Sequence, residues 1–305
     1  MRMMKLDSFN IDALEELTMI KVIASDMDGT LLNEKHQVSA RTEKAIKQAT
    51  DQGIRFMIIT GRTFLGALEG LGNADFPCDY IVSSGAQVRN SKQEIVWEGL
   101  LKGDICRKVC AVLENYSAQA LFCTDELEYC IGNEERLEQN ILEHIKAFDE
   151  RIPDTELKNH PTYGIFKEKT RAVETYEALE KMQVPVSKIF IFSLNLEMLK
   201  ELRKELEKIE GIVVASSGDN NLEITNVDAQ KGIVLKRYIE SLGYTMDEVM
   251  VLGDSMNDYS MFVMNFGAKV AMENADCEIK KLATSITKSN AEDGVAEVIE
   301  NLLKN

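Results

Sequence analysis

Histidine and paired cysteine, the usual ligands of zinc, are scarce in this sequence. Only three histidines occur, far apart (His36, His144 and His160), so a zinc site built on histidine is not expected. The six cysteines include no CxxC pair, and in a chain of 305 residues such scattered cysteines are typical of reduced thiols in the cytoplasm. We therefore expect a cytoplasmic protein without a histidine-built zinc site.

Basic residues and long apolar runs are also in short supply. The chain has 35 Lys and Arg against 51 Asp and Glu, a net charge of −16, which argues against nucleic acid or an anionic membrane as partner. No apolar run approaches the roughly 20 residues of a membrane span, and the acidic start of the chain lacks the apolar core of a signal peptide. A phosphorylated small molecule remains a suitable partner, because a few local cations and a metal suffice to bind it.

A short apolar strand that ends in two carboxylates is the most informative feature. The run Val22–Ala24 is followed by Asp26, Asp28, Gly29 and Thr30. Parallel α/β sheets place reactive groups at the carboxyl ends of their strands. Two close carboxylates resist joint ionisation unless a cation accompanies them, and Mg²⁺ takes both carboxylate and phosphate oxygens. We predict phosphoryl transfer through attack of Asp26 on phosphorus. The alternative is an ordinary Asp-rich turn.

Groups suited to phosphate follow two other predicted elements. Thr60 and Gly61 come after the strand 55–59 and offer a hydroxyl and an unobstructed N–H at the start of a helix, where the dipole favours an anion. Arg62, next in the chain, is more typical of a surface or ion-pair residue. Lys231 also precedes a helix; it is either a solvated lysine or, as we prefer, a cation that neutralises phosphate.

A second acidic group, GDSMND, follows the predicted strand 248–252. Asp254 could cap the next helix, but its position after a buried strand favours a metal ligand. Asn257 is either a turn residue or an amide donor to phosphate. Four predicted strand ends or helix starts therefore carry matching chemistry, and their joint order is more informative than any one of them.

The order of elements predicts an α/β fold with a long insertion. Strands and helices alternate over 20–87 and again over 217–305, which predicts a Rossmann-like core of parallel strands with helices on both faces. The segment 88–216 is too long for a loop, so we predict an inserted α+β domain there. Residues 1–19 are predicted to be an N-terminal extension. Within the insertion we expect helices at about 103–117, 134–147, 170–181 and 196–209, and strands at about 120–124, 127–131, 187–193 and 211–215.

These motifs resemble those of the haloacid dehalogenase superfamily of phosphatases. The segments Asp26–Thr30 and Gly253–Asp258, with Thr60 and Lys231 between them, match its four motifs in order. The insertion is similar in length and layout to the large α/β cap of the Cof-type phosphatases, and the resemblance extends from residue 21 to the end. One departure is Ser84, which stands where the Cof pattern usually has Asn.

The resemblance implies a role for each residue of the motifs. Asp26 would be the nucleophile that forms an aspartyl-phosphate, and Asp28 would act first as general acid and then as general base. Mg²⁺ would be held by the Asp26 carboxylate, the Asp28 backbone carbonyl and Asp254. The phosphoryl oxygens would be held by Thr60, Gly61, Lys231 and Asn257. Two further residues would support the metal end of the site, namely Asp258 and Asn274.

The sequence therefore predicts a Mg²⁺-dependent phosphatase for a small phosphorylated metabolite, such as a sugar phosphate, FMN or pyridoxal phosphate. One alternative is a sugar phosphomutase of the phosphomannomutase type, whose cap should hold a second phosphate with several basic residues. The available arginines form no recognisable cluster; they are Arg89, Arg107, Arg136 and Arg171. Another alternative is a ligand-binding protein that kept the fold, which the intact set of catalytic residues argues against. We expect a monomer or a weak homodimer.

Overall fold

The computed structural model describes residues 20–148 and 151–304; the predicted extension 1–19 lies outside the described residues. The strands are β1 (Val22–Ser25), β2 (Arg55–Ile59), β3 (Asp79–Val82), β4 (Gln87–Arg89), β5 (Ile95–Glu98), β6 (Gln119–Cys123), β7 (Glu128–Ile131), β8 (Thr170–Val173), β9 (Lys188–Phe192), β10 (Ile212–Ala215), β11 (Asn221–Asn226), β12 (Val249–Gly253), β13 (Ala268–Ala271) and β14 (Ser285–Ile286).

The α-helices are α1 (Ala40–Asp51), α2 (Phe64–Leu71), α3 (Gly103–Leu113), α4 (Glu134–Phe148), α5 (Pro161–Lys169), α6 (Tyr176–Lys181), α7 (Leu196–Leu206), α8 (Lys231–Ser241), α9 (Tyr259–Val263), α10 (Cys277–Leu282) and α11 (Gly294–Leu302). Among the helices of these described residues, none has the length and apolar character needed to cross a membrane.

The first sheet has eight strands in the order β14-β13-β12-β1-β2-β3-β4-β5. The strands from β14 to β3 are parallel, and β4 and β5 are antiparallel to their neighbours. Successive residues of β1 point to opposite faces, yet Val22, Ile23 and Ala24 are all fully buried. Both faces of the sheet are therefore covered, which explains why its central strands read as continuous apolar runs. The predicted α/β fold with a parallel sheet and helices is confirmed.

Short polar side chains begin the helices that follow β1 and β2. The Ser39 hydroxyl accepts from the Thr42 N–H at the start of α1. The Thr63 hydroxyl accepts from the Gly66 N–H at the start of α2. The segment between β2 and α2 is thus limited to a few residues, which fixes where its polar groups emerge from the sheet.

The second sheet has six strands in the order β10-β11-β9-β6-β7-β8. All neighbours are antiparallel except β7 and β8, which are parallel. One face packs on α3, α6 and α7 through an apolar cluster that includes Val109, Leu179 and Leu202. The other face packs on α4 through Leu137 and Ile141. The insertion is therefore a layered α+β unit with apolar clusters of its own.

The two sheets divide the chain at other positions than the predicted limits 88 and 216. The hairpin of β4 and β5 continues the first sheet, because the turn after β3 returns the chain antiparallel to it. The strand β11, expected in the core, pairs with β10 and β9 in the second sheet. Both β4 and β11 lie inside their sheets, between two neighbouring strands, and neither segment's own residues specify those neighbours, so long-range pairing decided both cases. That the two sheets form separate domains stays a prediction.

Candidate active site

The ends of three neighbouring strands bring the predicted site residues to one edge of the first sheet. The Asp26 N–H donates to the Leu252 carbonyl of β12 (2.9 Å), so the chain leaves β1 beside the end of β12. The Thr60 N–H donates to the Ile81 carbonyl of β3 (2.9 Å), which fixes the exit from β2 in the same way. Because β1 and β2 pair in parallel, Asp26 and Thr60 lie at adjacent strand ends on the same edge of the sheet.

Lys231, at the start of α8, contacts three of the predicted site residues. Its Nζ donates to Asp26 Oδ1 (2.6 Å), Asp258 Oδ1 (2.6 Å) and Asn257 Oδ1 (2.9 Å), which uses all three ammonium protons. Lys231 is only 1% exposed. Burial alone would lower the pKa of Lys231, but the carboxylates of Asp258 and Asp26 outweigh it and raise that pKa. The lysine is therefore a fixed buried cation, not the solvated surface residue of the alternative interpretation.

Three carboxylates form a buried acidic cluster around this lysine. Oxygens of Asp26, Asp254 and Asp258 lie within 4.8 Å of one another. Burial and the neighbouring Asp258 raise the pKa of Asp26 well above its ordinary value, and the same two causes raise the pKa of Asp254 to about 7. Such pKa values mean that one lysine does not balance the negative charge. Hard oxygen ligands with a charge deficit fit a divalent cation such as Mg²⁺.

Asp258 organises the GDSMND turn. Its Oδ2 accepts from the N–H groups of Asp254 (2.9 Å) and Ser255 (3.2 Å), while Oδ1 is bound to Lys231. A Cβ on Gly253 would lie 2.5 Å from Asp258 Oδ2, so only glycine allows this closure. Asp258 therefore holds Asp254, Ser255 and Lys231 in place through its hydrogen bonds.

Gly29 and Thr30 also hold Asp254, a function that the sequence did not reveal. The Thr30 hydroxyl donates to Asp254 Oδ1 (2.9 Å). Gly29 has a φ of +79°, and a Cβ there would lie 2.3 Å from Asp254 Oδ2. Asn274 donates from Nδ2 to the Gly29 carbonyl (2.8 Å), a further contact that stabilises the turn at Gly29. The DxDGT turn and the GDSMND turn are therefore built against each other.

The side chain of Asp28 lies apart from the acidic cluster. Its two oxygens accept from Arg62, Oδ2 from Nε (2.7 Å) and Oδ1 from Nη2 (2.6 Å), and the carboxylate is 47% exposed. Arg62 also donates from Nη1 to the Gly66 carbonyl (3.2 Å). The sequence indicated a surface or ion-pair residue at Arg62, and the structure shows an ion pair whose partner, Asp28, was not predicted.

The loop 60–62 lies against the second sheet, with Thr60 buried. Thr60 is 1% exposed, and its Oγ1 accepts from the Arg62 N–H (3.1 Å). The Gly61 carbonyl accepts from Lys188 Nζ (2.9 Å), and Lys188 is paired with Glu223 (3.1 Å). Neither Lys188 nor Glu223 was predicted to lie at the site. The contact of Lys188 with Gly61 joins positions 127 residues apart in the sequence, which no local pattern reveals.

A cavity of about 460 Å³ lies between the second sheet and these strand ends. Lys231 and Asn257 are among the residues that line it. The Asn257 Oδ1 accepts from Lys231 and Ser255, which leaves the Asn257 amide NH₂ without a bond among the described residues. The fold and the acidic cluster define a class of protein, an α/β enzyme that works at the carboxyl edge of a parallel sheet.

Comparison with known proteins defines the family. Residues 23–299 match the model of the haloacid dehalogenase-like hydrolases. The chain is 30% identical over 290 residues to the 5-amino-6-(5-phospho-D-ribitylamino)uracil phosphatase YwtE of Bacillus subtilis, which covers 93% of this chain and 98% of the relative. It is 29% identical over 286 residues to the phosphatase YwpJ of the same organism, which covers 93% of this chain and 100% of that relative.

A solved structure agrees with these relatives. A haloacid dehalogenase-like hydrolase from B. subtilis superposes with a TM-score of 0.77 at 27% identity and covers 92% of this chain and 99% of that one. The chain belongs to the haloacid dehalogenase-like hydrolases, among their Cof-type phosphatases. Hydrolases of this superfamily generally use a divalent metal ion, in agreement with the buried acidic cluster.

Proposed function

We propose that this phosphatase hydrolyses a small phosphorylated metabolite through an aspartyl-phosphate on Asp26, with Mg²⁺ as cofactor. The observation that carries the proposal is the environment of Asp26, a buried carboxylate bonded to Lys231 and within 4.8 Å of two other carboxylates. Lys231 and a bound Mg²⁺ would together favour the ionised, nucleophilic form of Asp26, and both attract the dianionic phosphate.

The residues that would hold Mg²⁺ are the Asp26 carboxylate, the Asp28 backbone carbonyl and Asp254. When bound, the ion would neutralise the acidic cluster and polarise a phosphoryl oxygen. Asp258 and Asn274 would support this end of the site through the GDSMND turn and the Gly29 carbonyl, the groups that they bond.

The chemistry assigned to this chain has two steps. Asp26 attacks phosphorus, the bond from phosphorus to the leaving oxygen breaks, and Asp28 gives a proton to that oxygen. Water then attacks phosphorus while Asp28 takes up its proton, the bond from phosphorus to the Asp26 oxygen breaks, and inorganic phosphate leaves with the Asp26 carboxylate restored. The hydrogen bonds from Arg62 hold the Asp28 carboxylate in one orientation between these steps.

Phosphoryl oxygens would be bound by Thr60, Gly61, Lys231 and Asn257. The Thr60 hydroxyl accepts from a backbone N–H and so has its own proton to give, and Asn257, which lines the cavity, has an amide NH₂ without a bond among the described residues. Such sites act mainly by positioning and charge neutralisation.

The cavity has the volume and the mixed polar and apolar lining that suit a polar organic leaving group of metabolite size. Its volume of about 460 Å³ lies in the common range of small-molecule sites. Its walls combine apolar side chains, including Val213, Met256 and Tyr259, with the polar Glu223 and Thr225. A relative is named for a phosphorylated ribityl-aminouracil, so we propose sugar phosphates and phosphorylated ribityl compounds such as FMN as the first substrates to test, with pyridoxal phosphate beside them.

The phosphomutase alternative is not favoured. It needs cations to hold a second phosphate in the cap, but none of the four candidate arginines is among the residues that line the cavity above Lys231; Arg203 is the arginine there, and it donates to the Val214 carbonyl and Ser216. A cytoplasmic location and a monomer or weak homodimer remain our proposals from composition and family.

The test is phosphate release from para-nitrophenyl phosphate and from a panel of these metabolites, with Mg²⁺ and with EDTA. Wild-type protein should release phosphate only with the metal, and Asp26→Asn should abolish release while the protein stays folded. Full activity of Asp26→Asn would refute the proposed nucleophile, and activity unaffected by EDTA would refute the proposed cofactor.

A further inference from the structure

A buried lysine of the second sheet reaches into the loop 60–62 of the first. Lys188 opens β9, is 8% exposed, and donates from Nζ to the Gly61 carbonyl (2.9 Å) and to Glu223 Oε2 (3.1 Å). Glu223, on β11, is 3% exposed. Burying two charges costs free energy that their attraction often only just offsets, and apolar residues at such positions are frequently as stable. The groups that Lys188 contacts are therefore informative.

Each of the three carbonyl oxygens of the loop 60–62 is held by a donor. The first accepts from the Ser84 N–H (3.0 Å), and the third accepts from the Ser83 N–H (2.7 Å). The second, that of Gly61, accepts from Lys188. Two of the three restraints therefore come from the backbone of the first sheet, and the remaining one comes from a side chain of the second.

The Gly61 restraint has a direct consequence for Thr60. In a trans peptide the C=O and the N–H point in opposite directions. With the Gly61 carbonyl turned to Lys188, the Arg62 N–H points to the other side, where it donates to Thr60 Oγ1 (3.1 Å). A hydroxyl that accepts on one side directs its own proton elsewhere, toward the proposed phosphate.

The turn after β3 completes the cluster. Ser83 and Ser84 both have positive φ values, 51° and 59°, a conformation that L residues rarely adopt without support. The Ser84 hydroxyl donates to Glu223 Oε2 (2.5 Å). The same Glu223 oxygen thus binds the strained turn and Lys188, so one carboxylate connects both supports of the loop 60–62.

Both members of the pair are charged. Burial acts to lower the pKa of Lys188, but Glu223 outweighs it, and the pKa is raised. Burial acts to raise the pKa of Glu223, but Lys188 and the Ser84 hydroxyl lower it below its ordinary value. A cationic donor therefore stays on the Gly61 carbonyl at neutral pH.

We propose that Lys188 is a positioning residue for phosphate binding, which fixes the Gly61 peptide so that the Thr60 hydroxyl points at the phosphoryl group. This inference rests on the proposed function, since it places phosphate at Thr60. It also makes phosphate binding depend on the contact between the two sheets, because the lysine belongs to the second.

The test measures binding of inorganic phosphate to the full chain in the presence of Mg²⁺ by titration calorimetry. Lys188→Met should weaken binding about tenfold, the usual effect of losing a charge-assisted hydrogen bond. The matched control is Lys169→Met, which removes another ion pair between α5 and α2, that of Lys169 with Glu69 (2.7 Å), at an exposed position. The control should bind phosphate within about twofold of wild type.

A second variant separates positioning from stability, because Lys188→Met alone leaves Glu223 buried and unpaired. The double variant Lys188→Met/Glu223→Gln removes both charges and should regain the urea midpoint of wild type to a large extent. Its phosphate binding should stay about tenfold weak, since no donor faces the Gly61 carbonyl. Recovery of both properties together would overturn the inference.

A third variant tests whether Lys188 acts through Thr60. In a Thr60→Val background, Lys188→Met should cost at most about twofold in phosphate affinity, because the hydroxyl that it orients is gone. An equal loss in both backgrounds would overturn the inference.

The outcomes distinguish this inference from the proposed function. Lys188-dependent phosphate binding without hydrolysis of any ester would refute the proposed reaction and leave the positioning role intact. Hydrolysis with equal phosphate affinity in wild type and Lys188→Met would do the reverse. A wild-type protein that binds no phosphate would overturn both.

Discussion

Asp254 should set part of the pH dependence of stability when no metal is bound. Burial and the neighbouring Asp258 raise the pKa of Asp254 from 3.8 to about 7. Between these two pH values the folded protein holds a proton that the unfolded chain has lost. The free energy of unfolding therefore falls as the pH rises from about 4 to about 7, and this group adds no further change above its folded pKa.

The perturbation that removes this titration is Asp254→Asn, which keeps the size of the side chain and cannot ionise. A proton held only by the folded state gives a slope of about 1.4 kcal/mol per pH unit. In EDTA, the free energy of unfolding of the variant relative to wild type should therefore increase by about 2 kcal/mol between about pH 5.5 and about pH 7.5. The pKa of Lys231 is raised by Asp258 and Asp26, which both proteins keep, whereas the Asp254 carboxylate helps to raise the pKa of Asp26. The difference therefore reports Asp254 together with its effect on Asp26, and both act in the same direction.

The assay is urea unfolding at the two pH values in EDTA and in saturating Mg²⁺. Bound metal should replace the proton, so Mg²⁺ should flatten the pH dependence of wild type and leave Asp254→Asn little changed. The control is Asp104→Asn, which removes an exposed carboxyl of α3 and should follow wild type. If the curves of Asp254→Asn and wild type stay parallel over this range in EDTA, the assignment of a raised pKa to Asp254 is wrong.

Three further substitutions test other contacts of the site. Lys231→Met removes a buried cation shared by three oxygens, and urea unfolding in EDTA should show a loss of about 3–5 kcal/mol; an unchanged midpoint would contradict this. Gly29→Ala places a Cβ 2.3 Å from Asp254 Oδ2 at a φ of +79°. Calorimetry should therefore show the affinity for Mg²⁺ reduced at least about tenfold. An affinity equal to that of wild type would mean that the turn accommodates the Cβ without displacing Asp254. Arg62→Gln should change stability by less than about 1 kcal/mol, because the Asp28 carboxylate is half exposed, yet lower kcat about tenfold; an unchanged kcat would remove Arg62 from the site.

Local patterns were a good guide to the first sheet. Apolar runs followed at once by Asp26, Thr60 or Asp254 can be read without any knowledge of distant contacts, because a strand buried on both faces must be apolar and its end must not be. The structure brings these residues to one edge, and the parallel order of β12, β1 and β2 is the reason.

Local patterns failed where a strand and a helix compete for the same segment. The sequence predicted a helix over 170–181, but Thr170–Val173 forms β8 beside β7, and the helix α6 begins only at Tyr176. The preceding helix α5, which starts at Pro161, was not predicted. Strand preference depends on the neighbouring strand, so the residues 170–173 alone do not decide it.

The sequence by itself determined which carboxylates and which hydroxyl follow buried strands, which lysine begins a helix, and the order in which they occur. Only the tertiary structure decided which sheet β11 joins, that Arg62 holds Asp28, and that Lys188 and Glu223 reach the Gly61 peptide. The physical reason is that the first set follows from the polarity of neighbouring residues, whereas the second depends on contacts between segments far apart in the chain, which no local pattern encodes.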